Sequence, residues 1–209
     1  MFSLQTMFGK GDKFYDLLEA SAEAAREGAN ALQKLLEHRG EAMILDSFRA
    51  ARRREKQIAS QISQALVNTF VTALDREDIE AMSSALYRIP KTIEKFAERY
   101  AIMPSRLEGV DFAARAVLLM RATEVLAEMV GELRNGLRID RMRALQDRLQ
   151  AIESEADRML LEAYRDLYTA NGDPIKVVLA KDLCELMEKA IDRCRDVGNV
   201  IYSIVLKHS

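Results

Sequence analysis

Apolar residues recur along this chain at steps of three and four with charged residues between them, a spacing that predicts helices almost end to end. Phe14, Leu17, Leu18, Ala22, Ala25, Ala29, Leu32 and Leu36 form a first stripe. Gly9-Lys10-Gly11-Asp12 precedes it, and His38-Arg39-Gly40 closes it as a cation and a glycine close a helix. Ile44, Phe48, Ala51, Ile58, Ile62, Ala65, Leu66 and Val67 predict a second helix over about 41–71. A third starts at Asp75-Arg76-Glu77-Asp78, where the Asp75 side chain can accept from free backbone N–H groups and acids favour the positive end of the helix dipole. Pro90 lies inside this third pattern; its ring removes a backbone donor and crowds the preceding turn, so a kink or break is expected near Arg88–Pro90.

Ala101 to Gly109 carries Pro104 and reads as a joint between two halves. Beyond it, three further helices are predicted over roughly 110–134, 138–169 and 175–207, separated by Asn135-Gly136 and by Asn171-Gly172-Asp173-Pro174. Leu145, Leu149, Ile152, Ala156, Met159 and Ala163 alternate steps of four and three, as do Leu183, Met187, Ala190, Cys194, Val197, Ile201 and Ile204. Such stripes belong to helices packed lengthwise in a bundle. Because the same order of three helices occurs twice, we read 1–209 as one domain with internal repeats at approximately 12–101 and 108–207. Setting Asp78-Ile79 over Asp182-Leu183 places Met82 over Leu186 and Leu86 over Ala190, although Ile89 then falls over Arg193.

Composition agrees with an all-α chain: 209 residues, 49% hydrophobic and 31% charged, are interrupted by only 9 Gly and 3 Pro. A net charge of −2 supplies no general attraction to nucleic acid or anionic lipid. The apolar start, Met1 to Phe8, lacks the positive flank and cleavage site of a signal peptide, and no long apolar run suits a membrane span. Cys184 and Cys194 fall on one predicted helix, roughly 15 Å apart at about 1.5 Å per residue, too far to bridge each other. Together these point to the cytoplasm.

The candidate chemistry lies in two carboxylate ladders, Glu153-x-x-x-Asp157 and Glu188-x-x-x-Asp192-x-x-x-Asp196. Residues four apart share a helix face, so like charges there repel by about 0.2–0.5 kcal/mol per pair, a cost that a cation reverses. In the repeat register Ser84, Arg88 and Thr92 stand over Glu188, Asp192 and Asp196, and a second register puts Arg52 over Glu153 and Lys56 over Asp157. The first half therefore lacks the acids of the second. The bland reading of the ladders is a solvated face with local pairs such as Glu185 to Lys189 and Asp192 to Arg195. A basic run, Arg49, Arg52, Arg53, Arg54 and Lys56, could contact phosphate through its guanidinium groups; a solvated face pairing with Glu55 and neighbouring helices is the simpler account, since no aromatic residue interleaves the run. Nucleic acid is not expected as a partner. Enzyme patterns are missing: His38 and His208 follow Leu35 and Val205 at the third position back, where a di-iron bundle needs glutamate, and there is no paired Cys and His zinc spacing, nucleophile elbow or phosphate-binding glycine loop.

Four stretches of the chain resemble one known family. They are Lys13-Phe14-Tyr15-Asp16-Leu17-Leu18, Phe70 to Ile79 with its Asp75-Arg76-Glu77-Asp78-Ile79, Ile152 to Asp157, and Leu186 to Val197. The similarity is to the PhoU-like phosphate-transport regulators, in the short branch associated with Pit-type phosphate transporters, and it covers nearly the whole chain. It implies two repeated three-helix bundles, six long antiparallel helices in all. It also implies a non-enzymatic regulator or accessory of inorganic phosphate transport, cytoplasmic and held at the inner face of the membrane through a Pit-type transporter or its signalling partners. Homo-oligomers are compatible with this. The family's carboxylate motif maps onto Glu153, Asp157, Glu188, Asp192 and Asp196 as metal ligands, and their all-oxygen chemistry suits a divalent or ferric cation without choosing among metals. Arg52, Lys56 and Arg88 replace acids in the first half, so one bundle alone is expected to bind. The alternative is a purely structural helical adaptor with a vestigial metal site.

Overall fold

A computed structural model describes residues 4–37, 45–136, 138–169 and 173–208, with side chains in the first helix from residue 13 onward. Its helices are α1 (Leu4–Glu37), α2 (Asp46–Asn68), α3 (Arg76–Leu86), α4 (Arg88–Tyr100), α5 (Ala113–Glu132), α6 (Ile139–Thr169) and α7 (Pro174–Lys207), with a short 3-10 turn at Pro104–Leu107. α3 and α4 are one rod broken at Tyr87, because Pro90 has no N–H to give the carbonyl one turn back. Six long helices result, as the hydrophobic periodicity requires.

The apolar stripes decide the packing. α1, α2 and the α3–α4 rod pack on one another, as do α5, α6 and α7, and the two bundles meet where α1 lies against α5 and where α3 and α4 lie against α7. Phe14, Leu18, Leu32, Ile62, Ile79 and Met82 fill the first bundle, while Leu119, Leu126, Leu145, Leu149, Met187 and Ile201 fill the second, all buried. Each such side chain contributes roughly 1.5–3 kcal/mol on leaving water, so the stripes are the main source of stability. At the junction Phe96 and Tyr100 stack with centroids 5.8 Å apart, and Phe112 meets them edge-on at 5.5 and 5.9 Å. The core is continuous from one bundle into the other.

Several expectations shift on contact with the structure. α1 starts at Leu4, ahead of Gly9 and Gly11, since glycine inside a helix costs only about 1 kcal/mol against alanine and does not by itself end one. The predicted end at His38-Arg39-Gly40, the predicted start of the second helix at 41–44, and Asn171-Gly172 lie outside the described residues. Asp75 does flank α3, but its side chain makes no cap hydrogen bond; its carboxylate turns instead to Lys207, 2.5 Å away, where a full charge outweighs a neutral N–H donor. Asp173 caps α7 by accepting from the Ile175 N–H at 2.9 Å. Gly136 has φ +88°, a left-handed turn that a side chain resists, so the Asn135-Gly136 signal is a true break.

Candidate functional site

α6 and α7 run side by side and present the ladders. Their contact is close because α7 carries Gly198: a Cβ there would come within 2.6 Å of a Leu149 methyl and 2.8 Å of the Gln146 amide oxygen. Ile152 and Ala156 on α6, with Met187, Ala190, Ile191 and Cys194 on α7, face the core. Helical geometry then turns the intervening positions, Glu153, Asp157, Glu188, Asp192 and Asp196, toward the rim of the same helix pair.

Across that rim the carboxylates are neighbours. Glu188 is half-buried, and its carboxyl is pushed up to about 7, first by burial and then by the charges of Asp192, Asp157 and Glu153, while Arg195 pulls the other way. Arg195 is the cation in their midst: it donates to Glu153 on α6 at 3.0 Å and to Asp192 on its own helix at 2.5 Å, and lies 3.8 Å from Asp196. Asp196 also accepts from Arg193 at 2.7 Å. Asp157 is exposed. The structure thus brings all five acids to one face, but with Arg195 among them they do not gather three ligand oxygens within 4.8 Å. Among the described residues that convergence occurs at Asp75, Asp78 and His208. There Lys207 lies 2.5 Å from Asp75 and 3.2 Å from Asp78, so the group fastens the end of α7 to the start of α3.

The donor set fits a hard cation. Burial first, and then the charges of Asp192, Asp157 and Glu153, raise the Glu188 carboxyl, and a cation bound among these all-oxygen donors would offset the repulsive part. The ligands would be Glu153, Asp157, Glu188, Asp192 and Asp196. Of the two local pairs foreseen, Asp192 to Arg195 is present, whereas Glu185 pairs with Lys181 and accepts from Tyr164. Lys181 precedes Glu185 by one turn on the face it shares with Tyr164, which draws the carboxylate away from Lys189. Cys184 and Cys194 are buried and free, and burial raises both thiols, leaving them unsuited to nucleophilic or ligand roles.

The first bundle closes the matching face by other means. Arg52 is 6% exposed, stacks over the Tyr87 ring at 3.8 Å, donates to the Tyr87 carbonyl and lies 3.9 Å from Glu94. It is not part of a solvated basic face. Arg54 pairs with Glu27, and Glu55, expected to answer the basic run at the surface, is fully buried and accepts from Ser21 at 2.7 Å. The run scatters because α2 turns 100° per residue, sending Arg52 and Glu55 inward while Arg53, Arg54 and Lys56 stay exposed. Two features escaped the sequence reading: the burial of Glu55 inside a charged run, and the reach of Arg195 across to Glu153, which no spacing along α7 reveals. Tyr87, at the helix break, belongs to the same class.

No family model matches the chain. It is 24% identical over 207 residues, 94% of each chain, to the protein named "Putative pit accessory protein" of Rhizobium meliloti (strain 1021). It is 25% identical over 147 residues, 69% of this chain and 70% of the other, to the UPF0111 protein YkaA of Bacillus subtilis (strain 168). The crystal structure of a PhoU-like protein from Shewanella oneidensis MR-1 superposes with a TM-score of 0.74 at 16% identity, covering 93% of this chain and 99% of that one. At such identity the superposition speaks for the fold: two three-helix bundles in the same arrangement. In fold, and in sequence along nearly its whole length, the chain is thus similar to a pit accessory protein and to PhoU-like proteins.

Proposed function

We propose that this protein is a non-enzymatic accessory or regulator of inorganic phosphate transport, acting in the cytoplasm on a Pit-type transporter or its signalling partners. The observation that carries this reading is the likeness to a pit accessory protein across 94% of both chains. Among the described residues no helix is long and apolar enough to cross a membrane. The test is direct: a tagged form should retain a detergent-solubilised Pit-type transporter and change phosphate uptake into vesicles that contain it. Uptake unaffected by saturating protein, with no retention, would overturn the reading.

The finer part of the proposal is that Glu153, Asp157, Glu188, Asp192 and Asp196 hold a divalent or ferric cation that draws α6 and α7 together and shapes the docking surface. Its support is the gathering of carboxylates from α6 and α7 around one guanidinium, that of Arg195, with the half-buried Glu188 beside them outside any ion pair. Purified protein should carry metal under replete conditions, less so after Asp157→Ala or Asp192→Ala. A cation that binds only the folded state must also raise the melting temperature. Equal melting in chelator and in Mn²⁺, Ca²⁺ or iron would instead favour a structural adaptor whose ladder Arg195 already neutralises.

A further inference from the structure

We propose that Arg195 is a built-in counter-cation of the α6–α7 carboxylate face, sitting where a metal ion would sit and setting how tightly the face holds one. The proposal rests on the reading of the five acids as metal ligands. One guanidinium is shared among three of them: it donates to Glu153 at 3.0 Å and Asp192 at 2.5 Å and approaches Asp196 at 3.8 Å. The pairing crosses from α7 to α6, as a bridging ion would. Its Nε is buried and has no acceptor, so carboxylates hold the head group. Arg115 makes the contrast: both of its terminal nitrogens donate to backbone carbonyls, of Asp111 and Met159, which is the pattern of a structural staple.

The Arg195 side chain is 32% exposed, so although its Nε is enclosed the side chain borders solvent and has a direction in which to move. A divalent ion offers twice the charge in a smaller volume and can recruit Glu188 and Asp157, which Arg195 does not reach by any ion pair. Metal entry and Arg195 departure are then one exchange, and metal affinity is lowered by whatever free energy the guanidinium contributes to the face.

Calorimetric titration with Mn²⁺ of the full chain and of Arg195→Gln, Arg195→Met and Arg195→Lys tests this, with circular dichroism and cooperative melting as checks of folding. The two neutral variants should bind Mn²⁺ about tenfold or more tightly than wild type, the difference expected when about 1.4 kcal/mol of competing interaction is removed. Arg195→Lys should stay near wild type, and adding Glu188→Gln with Asp157→Asn to Arg195→Gln should abolish the gain. If the neutral variants gain binding while wild type takes up no Mn²⁺, the counter-cation stands and the proposal of a resident metal falls. Equal affinity in wild type and neutral variants overturns the counter-cation and leaves the metal reading standing. No binding by any form overturns both, and loss of folding in both neutral variants makes Arg195 a structural staple.

Discussion

Glu55 is fully buried between α1 and α2, takes one hydrogen bond from Ser21, and leaves its other oxygen without a partner. Burial is the largest influence on it, opposed by the Ser21 hydrogen bond and then by Arg52 and Arg54, and its carboxyl rises from 4.5 to about 7. Between those two values the folded state binds more protons than the unfolded one, so stability falls as pH rises through the window and is flat on either side. Glu55→Gln, which keeps an oxygen for Ser21 and carries no charge, should therefore be the more stable protein at about pH 8, by on the order of 3 kcal/mol. Chemical denaturation at several pH values checks this; the advantage should vanish below about pH 4.5, and a difference that does not change with pH would refute the assignment. Arg52 is a different case, a buried cation with an aromatic ring, a carbonyl and a carboxylate around it. Arg52→Ala removes its packing on Tyr87 and strips Glu94 of its partner, so a loss of about 2–4 kcal/mol in denaturation is expected.

At the scale of elements, the ladders depend on how closely α6 and α7 approach. Gly198 permits that distance, since a Leu149 methyl and the Gln146 amide fill the space where its side chain would be. Gly198→Leu should force the helices apart, lowering stability by about 1–3 kcal/mol in denaturant titration and weakening any cation binding at Glu153 and Asp192 together. The helices themselves were legible from sequence, because a stripe such as Leu145, Leu149, Ile152 and Ala156 has one face that must be buried, and so was the broken third helix, because proline chemistry is local. Asp75 was misjudged as a side-chain cap for a complementary reason. Lys207, which draws its carboxylate away, stands at the far end of the chain.

For the whole molecule, the aromatic junction of Phe96, Tyr100 and Phe112 and the contacts of α1 with α5 make the two bundles one continuous core. Phe112→Ala should cost about 3–5 kcal/mol, and the whole protein should still melt in a single transition, because neither bundle buries its stripes alone. Two separate calorimetric transitions would contradict that. The surface ties between halves matter less: Arg134 with Asp16 and Glu19, Arg99 with Asp182, and Arg106 with Asp173 are exposed pairs, worth typically under about 1 kcal/mol each.

What the sequence by itself determined is the all-α class, the helix order, the core stripes and the five acids. These are consequences of local chemistry: the 3.6-residue period, the conformations of proline and glycine, and the charge carried at each position. Tertiary structure alone decided which charges meet. Arg195 reaches Glu153 across 42 positions, Arg52 finds Tyr87 and Glu94, and Ser21 finds Glu55, because helix packing sets those distances and the linear spacing of residues does not. The acids of the second half, and the pair of Asp192 with Arg195 on one helix, could be read in the sequence; that the same guanidinium also holds Glu153 could be seen only when α6 and α7 were placed side by side.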